Sequence, residues 1–209
     1  EAQLDDAALA ERTFEQALEL QPEDPRALAE LAKLRQGGAD WDGYAAARER
    51  EAEVASSKAE AVAALVDAAR VHRERRKDDQ AAKRALERAL EKDPDAAEAV
   101  ALYGSLARRL LDDKTADQLA MKELHGAAAP SPERQAELHA GLGASALRRG
   151  EPDEAARRFR EAVAARPGYP PAIQGLADLA AQSGAWDEVE ALLRDAASQG
   201  GVPPQVAAQ

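Results

Sequence analysis

The chain has 209 residues, no cysteine, 45% hydrophobic but only 3% aromatic residues, and a net charge of −11. The lack of cysteine excludes disulfides and thiolate chemistry, and an acidic chain lacks the clustered cations that bind nucleic acid. No apolar run has the roughly 18–20 residues that a membrane-spanning helix needs, so we expect no membrane insertion. Ala, Leu, Glu and Arg are frequent and are strong helix formers, which favours an all-α chain.

Three prolines divide the chain at regular intervals. Pro22, Pro94 and Pro167 are 72 and 73 residues apart. This interval is about twice 36, which predicts a repeated pair of helices. Each proline ends a helix, because it has no amide hydrogen and clashes with the preceding turn. One face of each of these helices carries a small, a large and a small residue: Ala10, Phe14, Ala17; Ala82, Leu86, Ala89; and Ala155, Phe159, Ala162.

The intervening helices have recognisable starts. Asp24 followed by Pro25 predicts an N-cap and a first helical residue, and Asp95 and Ser131-Pro132 give the same signal further along. Apolar or small residues then recur on one face of each helix. In chain order these stripes are Leu28, Leu31, Ala32, Arg35; Val62, Leu65, Val66, Ala69; Val100, Tyr103, Gly104, Ala107; His139, Leu142, Gly143, Ala146; and Ile173, Leu176, Ala177, Ala180.

The pattern resembles the tetratricopeptide repeat family, whose unit is a pair of antiparallel helices. Residues 136–169 fit best, through Leu142-Gly143, the turn at Gly150, and the Ala155, Phe159, Ala162 and Pro167 set. Residues 25–58 depart from the pattern, because Arg48 and Ser56 stand where an aromatic residue and the proline are expected.

The resemblance implies an α-solenoid of stacked antiparallel helix pairs that forms a right-handed superhelix. We expect one solenoid over residues 1–199, in which 1–24 is the second helix of a truncated repeat and 200–209 is a flexible tail. The repeats that follow the first helix are 25–58, 59–96, 97–135, 136–169 and 170–199. Two of them exceed the family length, so we expect a lengthened helix at Val71–Lys77 and a long link at Gly126–Pro130.

Candidate chemical motifs are weak, and we expect no catalytic, cofactor-binding or metal-binding residue. The stretch Gly141–Ala146 spells a phosphate-binding fingerprint, but it lies inside a predicted helix rather than after a strand. The three histidines lack the spacing of a helical zinc site. We expect His72 and His125 to be exposed near helix ends and His139 to lie on the apolar stripe.

In the tetratricopeptide family, the first helices line a concave groove that binds extended peptides or helices. Carried over to this sequence, the resemblance predicts a partner-binding groove at Lys33, Asp67, Arg70, Ser105, Arg108, Arg148, Gln174 and Asp178. Among them Lys33, Arg70, Arg108 and Arg148 form a sparse cationic line suited to acidic partner residues. A basic patch at Arg73, Arg75, Arg76 and Lys77 is either a solvated helix end or a second docking surface.

The function expected from this resemblance is a protein–protein interaction scaffold without cofactors. Two alternatives stay open: a regulatory or recruiting arm of an enzyme whose catalytic domain lies elsewhere, and a structural solenoid that self-associates through open repeat ends. The chain begins with Glu and uses far more Arg than Lys. We therefore expect a fragment of a longer bacterial protein, with a cytoplasmic location favoured.

Overall fold

The computed structural model describes residues 2–127 and 129–184, together with residues 186, 187, 190, 191 and 194. Over these residues the chain forms ten α-helices and no strand, which confirms the all-α solenoid prediction. In chain order the helices are α1 (Ala2–Leu20), α2 (Pro25–Gly37), α3 (Trp41–Val54), α4 (Lys58–Glu74), α5 (Asp79–Lys92), α6 (Ala97–Arg109), α7 (Asp113–Leu124), α8 (Pro132–Arg148), α9 (Pro152–Ala165) and α10 (Pro170–Ser183).

Short polar side chains cap most of these helices, as their positions in the sequence predict. The Asp24 carboxylate accepts hydrogen bonds from the amides of Arg26 and Ala27 at the start of α2, where Pro25 is the first residue. Equivalent caps, each accepting one backbone amide, are made by Asp40, Ser57, Asp78, Asp112 and Ser131. A cap of this kind stabilises a helix by about 1 kcal/mol.

The helices form two compact units, Glu1–Leu106 and Ala107–Gln209. In the N-terminal unit each helix from α1 to α4 packs on the helix that follows it. The predicted apolar stripes form the core of this unit, and Leu28, Leu31 and Leu65 are completely buried. Alanine fills most of the remaining core positions, so the helices approach closely.

In the C-terminal unit α8 packs on both α7 and α9, and α10 packs on α8 and α9. Phe159 of α9 is the large residue of the predicted small–large–small set, and it is buried in a cluster with Ile173 and Leu176. Its ring lies directly against the backbone of Gly143 on α8 and of Gly175 on α10. The absence of a side chain at both glycines therefore makes room for the aromatic ring.

The helix bounds refine two of the expectations. The first helix of the predicted repeat 59–96 has 17 residues against 13 in α2, but it ends at Glu74 rather than Lys77. Residues 125–127 and 129–131, between α7 and α8, are not helical, in keeping with the expected link. The second helix of the predicted repeat 170–199 and the tail at 200–209 lie outside the continuously described residues.

The contact between Gly143 and Phe159 gives the first prediction. A Cβ atom at Gly143 would lie 2.8 Å from the ring, so Gly143→Ala should lower the free energy of unfolding by about 1–3 kcal/mol through overpacking. Gly37→Ala is the matched control, because an added methyl group there would meet no atom within 4 Å and alanine favours helix. Urea unfolding followed by circular dichroism measures both, and equal stability of the two variants would contradict the packing role.

Candidate partner-binding surfaces

The predicted groove residues of the N-terminal unit are mostly exposed and already paired. The Lys33 ammonium lies 2.6 Å from a carboxylate oxygen of Glu30, one turn earlier on α2. Arg70 of α4 forms an ion pair with Glu98 of α6, and the Ser105 hydroxyl donates to the carbonyl of Leu102 at 2.9 Å. Exposed ion pairs of this kind contribute little to stability, so a partner carboxylate can displace Glu30 or Glu98 at low cost.

Asp67, the remaining groove residue of this unit, belongs to a polar cluster on α3 and α4. Its carboxylate accepts hydrogen bonds from the Tyr44 hydroxyl and, at 3.0 Å, from Nε of Arg48. Arg48 also forms an ion pair with Glu51, and a carboxylate oxygen of Glu51, Oε1, is buried without a hydrogen-bond partner. Burial raises the pKa of Glu51, while Arg48 acts in the opposite direction.

A cavity of about 440 Å³ lies beside this cluster, between α2, α3 and α4. Its apolar lining comes from small or short side chains, and its polar lining comes from Arg48 and two glutamates, Glu51 and Glu60. The lining residues are Pro25, Ala29, Arg48, Glu51, Val54, Ala55, Ser56, Glu60, Ala63 and Ala64. Ala29, Glu60 and Ala63 are on the first helices of two repeats, the helices that carry the predicted groove.

In the C-terminal unit Arg108 is the most unusual of the predicted groove residues. Its guanidinium packs against the Cα atom of Gly141. A Cβ atom at this position would overlap the guanidinium carbon, so only glycine fits here. Its Nη1 is buried without a hydrogen-bond partner, and so is Oδ1 of Asp117. Burial lowers the pKa of Arg108, while the charge of Asp117 acts in the opposite direction. The pair is thus electrostatically coupled, yet both groups retain unused hydrogen-bonding capacity.

The other predicted groove residues of this unit form ordinary surface pairs. Arg148 donates two hydrogen bonds to Asp113, at 2.7 and 2.5 Å, and a longer one to the Ser145 hydroxyl. These bonds hold the pKa of Asp113 below its usual value. On α10 the Gln174 amide donates to Asp178 at 2.8 Å.

The predicted basic patch is largely engaged with α3. Arg75 lies over the Trp41 ring at 4.7 Å, and Arg76 forms an ion pair with Asp42 and donates to Nδ1 of His72 at 2.6 Å. Arg73 pairs with Glu74, and Lys77 is exposed at the end of the run. A docking role for this patch stays a prediction, and Arg75 and Arg76 would have to leave contacts within the unit to serve it.

The prediction of an exposed His72 is wrong. Its side chain is buried, with 4% of the residue exposed, and its Nε2 lies 2.8 Å from Oε1 of Glu49. Since Arg76 donates to Nδ1, the ring carries its proton on Nε2 and donates it to Glu49. Arg88 of α5 binds the second oxygen of Glu49 at 2.7 Å, so one carboxylate of α3 joins the histidine on α4 to the arginine on α5. His125 is exposed and His139 is half-buried.

Sequence reasoning identified Asp67 and Arg108 but missed the partners that make each of them distinctive. Tyr44 and Glu51 were overlooked, although Arg48 at an expected aromatic position indicated that this helix is atypical. Nothing in the sequence marked Asp117 for a role. Among the described residues there is no cluster of His, Asp and Glu that would hold a metal ion, and no helix is long and apolar enough to cross a membrane.

A sequence profile described as tetratricopeptide repeat matches residues 146–208. Solved tetratricopeptide-type structures match most of the chain, including its N-terminal unit. The match places a tetratricopeptide repeat at residues 146–208, and the chain as a whole shares the fold of tetratricopeptide proteins. No curated protein sequence matches it.

Three solved structures illustrate the shared fold. YrrB, described as a tetratricopeptide protein with an unusual peptide-binding site, has a TM-score of 0.61 and 21% identity, over 88% of this chain and 90% of YrrB. MamA has a TM-score of 0.61 and 18% identity, over 82% of this chain and 89% of MamA. PilF of Pseudomonas aeruginosa has a TM-score of 0.56 and 20% identity, over 86% of this chain and 77% of PilF. At these identities the likeness establishes the fold alone.

The Tyr44–Asp67 hydrogen bond gives a prediction about pH. Burial, reinforced by Asp67, raises the pKa of Tyr44 to about 12. The folded phenol therefore holds its proton more tightly than an unfolded one, whose pKa is about 10. This contribution to stability is complete below about pH 10 and is lost as the pH rises towards 12.

Urea unfolding of the wild type and of Tyr44→Phe at several alkaline pH values measures this contribution. The wild type should lose free energy of unfolding more steeply than the variant between about pH 10 and 12. Phenolate absorbance provides the second readout, because the variant should lack the ionisation of Tyr44 near pH 12. Parallel pH profiles of the two proteins would contradict the assignment.

Proposed function

We propose that the chain is a non-catalytic protein-interaction scaffold that binds a segment of a partner protein on the exposed faces of its first helices. Tetratricopeptide repeats generally mediate protein–protein interactions, and YrrB is described as having a peptide-binding site. In the N-terminal unit the binding face consists of Lys33, Asp67, Arg70 and Ser105. In the C-terminal unit it consists of Arg108, Arg148, Gln174 and Asp178.

The observation that carries this proposal is the pair of unsatisfied groups at Arg108 and Asp117. Buried polar groups nearly always have hydrogen-bond partners, because an unpaired group costs roughly 1–3 kcal/mol. Here a donor, Nη1 of Arg108, and an acceptor, Oδ1 of Asp117, both lack one. A peptide group offers the complementary pair, a carbonyl that accepts from the arginine and an amide that donates to the aspartate. Because both atoms are buried, the Arg108 side chain has to turn towards the surface for the partner to reach them.

A purely structural role for Arg108 predicts a different outcome from a binding role. Arg108→Met keeps much of the length of the side chain and removes a poorly compensated buried charge, so the variant should be at least as stable as the wild type. If Arg108 contacts a partner, the same variant should lose binding. Urea unfolding and selection of short random peptides on the immobilised full chain measure the two properties.

Arg157→Met is the matched control for this prediction. Arg157 is exposed on α9 and pairs with Glu154 and Glu161. Its replacement by Met changes the net charge by the same amount as Arg108→Met does, but at a site away from α6. It should select the same peptides as the wild type. If Arg108→Met also selected them, Arg108 would have no part in binding.

The predicted cationic line is tested by reversing its charges. The triple variant Lys33→Glu, Arg70→Glu, Arg108→Glu should recover less partner protein than the wild type in a pull-down, because the carboxylates would repel acidic partner residues. Equal recovery by the two proteins would contradict the groove assignment in both units.

A further inference from the structure

Helix α3 departs from the repeat pattern at the three positions where α9 uses its small–large–small packing set. Aligning its start with that of α9 places Tyr44, Arg48 and Glu51 where α9 has Ala155, Phe159 and Ala162. The small–large–small set is thus replaced by a tyrosine, an arginine and a glutamate. All three belong to the cluster around Asp67.

This replacement coincides with the cavity in the N-terminal unit. In the C-terminal unit the Phe159 ring occupies the space between the two flanking first helices. In the N-terminal unit Arg48 instead directs its guanidinium to Asp67 and Glu51. No ring lines the cavity of about 440 Å³ between α2 and α4, which is bounded by Arg48 on α3 and by the alanines of the neighbouring helices.

The charges around the cavity are predominantly negative. Arg48 faces two carboxylates, those of Asp67 and Glu51, and Glu60 adds a third that accepts hydrogen bonds from the Ser56 amide and hydroxyl. Lys33, a further cation close enough to act on Glu51, is paired with Glu30. Residues 1–58 together carry 14 acidic and 7 basic residues. The surroundings therefore favour a cationic occupant.

We infer that this cavity binds a lysine side chain of the partner, with the methylene groups against Ala29, Val54 and Ala63 and the ammonium between Glu51 and Glu60. The inference rests on the proposed function, since it assigns a residue type to one position of the bound segment. An apolar side chain would desolvate the glutamates without supplying a donor, a neutral amide or hydroxyl would supply no charge, and an acidic side chain would be repelled. A lysine side chain carries an ammonium group with three hydrogen-bond donors at the end of an apolar methylene chain. This combination matches the two carboxylates and the apolar lining of the cavity.

The test uses Nα-acetyl-lysine methylamide as the probe, titrated into the isotopically labelled full chain and followed by backbone amide shifts in NMR spectra. A ligand of this size should bind with a dissociation constant of about 1 mM. We expect shifts at Glu51, Val54 and Ala63. Nα-acetyl-norleucine methylamide, which lacks only the ammonium, should bind about tenfold more weakly, as expected for a charge-assisted hydrogen bond. Equal binding of the two probes would overturn the inference.

Two variants test whether the lysine probe binds in the cavity. Arg48→Phe introduces the residue that α9 has at this position, Phe159, and should abolish the shifts by filling the space. Glu51→Gln keeps the shape and should weaken binding about tenfold. Glu53→Gln is the matched control, because Glu53 lies on the same helix but pairs with Arg88 and Lys92 away from the cavity; it should bind as the wild type does. If Glu51→Gln and Glu53→Gln bound alike, the inference would be wrong.

The outcome for lysine is separate from the outcome for the scaffold. If random peptides are selected on the chain, if lysine is not enriched among them, and if Arg48→Phe selects the same set, the inference fails while the proposed function stands. If the lysine probe binds in the cavity and no peptide is selected, the proposed function fails, while the preference of the cavity for a lysine side chain stands.

Discussion

Close approach of helices through small side chains is the constraint on which this fold depends. A helix pair in a solenoid cannot bury its own apolar face and has to do so against its neighbours. The Phe159 ring shows how this is achieved, since it contacts two neighbouring helices at once through Gly143 and Gly175. The large residue on the second helix and the glycines on the neighbouring first helices therefore depend on each other, because the ring packs directly on the glycine backbone.

The same constraint explains why a polar substitution on a second helix changes the surface as well as the core. When Arg48 takes the place of the aromatic residue, its charge cannot remain between two layers of alanine. It turns to Asp67 and Glu51, and the position it leaves becomes a cavity beside the exposed face of α2 and α4. A departure from the repeat pattern has thus produced a chemically distinct position on an otherwise uniform surface.

The sequence predicted the helices well because their signals are local. Prolines such as Pro167 and caps such as Asp24 and Ser131 act on the adjacent turn, and the apolar stripes have a fixed period. The arginine contacts were not predictable in this way. Arg35 lies on a predicted apolar stripe, yet it reaches Glu11 and Glu15 of α1. A long arginine side chain can reach several carboxylates, and the free energies of the alternative ion pairs differ by less than about 1 kcal/mol. The buried His72 contacts Glu49 and Arg76, and for the same reason the sequence does not specify these two partners.

The two tryptophans of the sequence differ in their surroundings, and each belongs to a different unit. Trp41 is half-buried, with Tyr44 at its edge and the Arg75 guanidinium over its face. Trp186 is 52% exposed. Indole emission depends on the polarity of its surroundings, and contact quenchers act only on rings they can reach. The chain therefore carries two intrinsic fluorescent reporters, a shielded one for the N-terminal unit and an accessible one for the C-terminal unit, and replacing either tryptophan isolates the signal of the other.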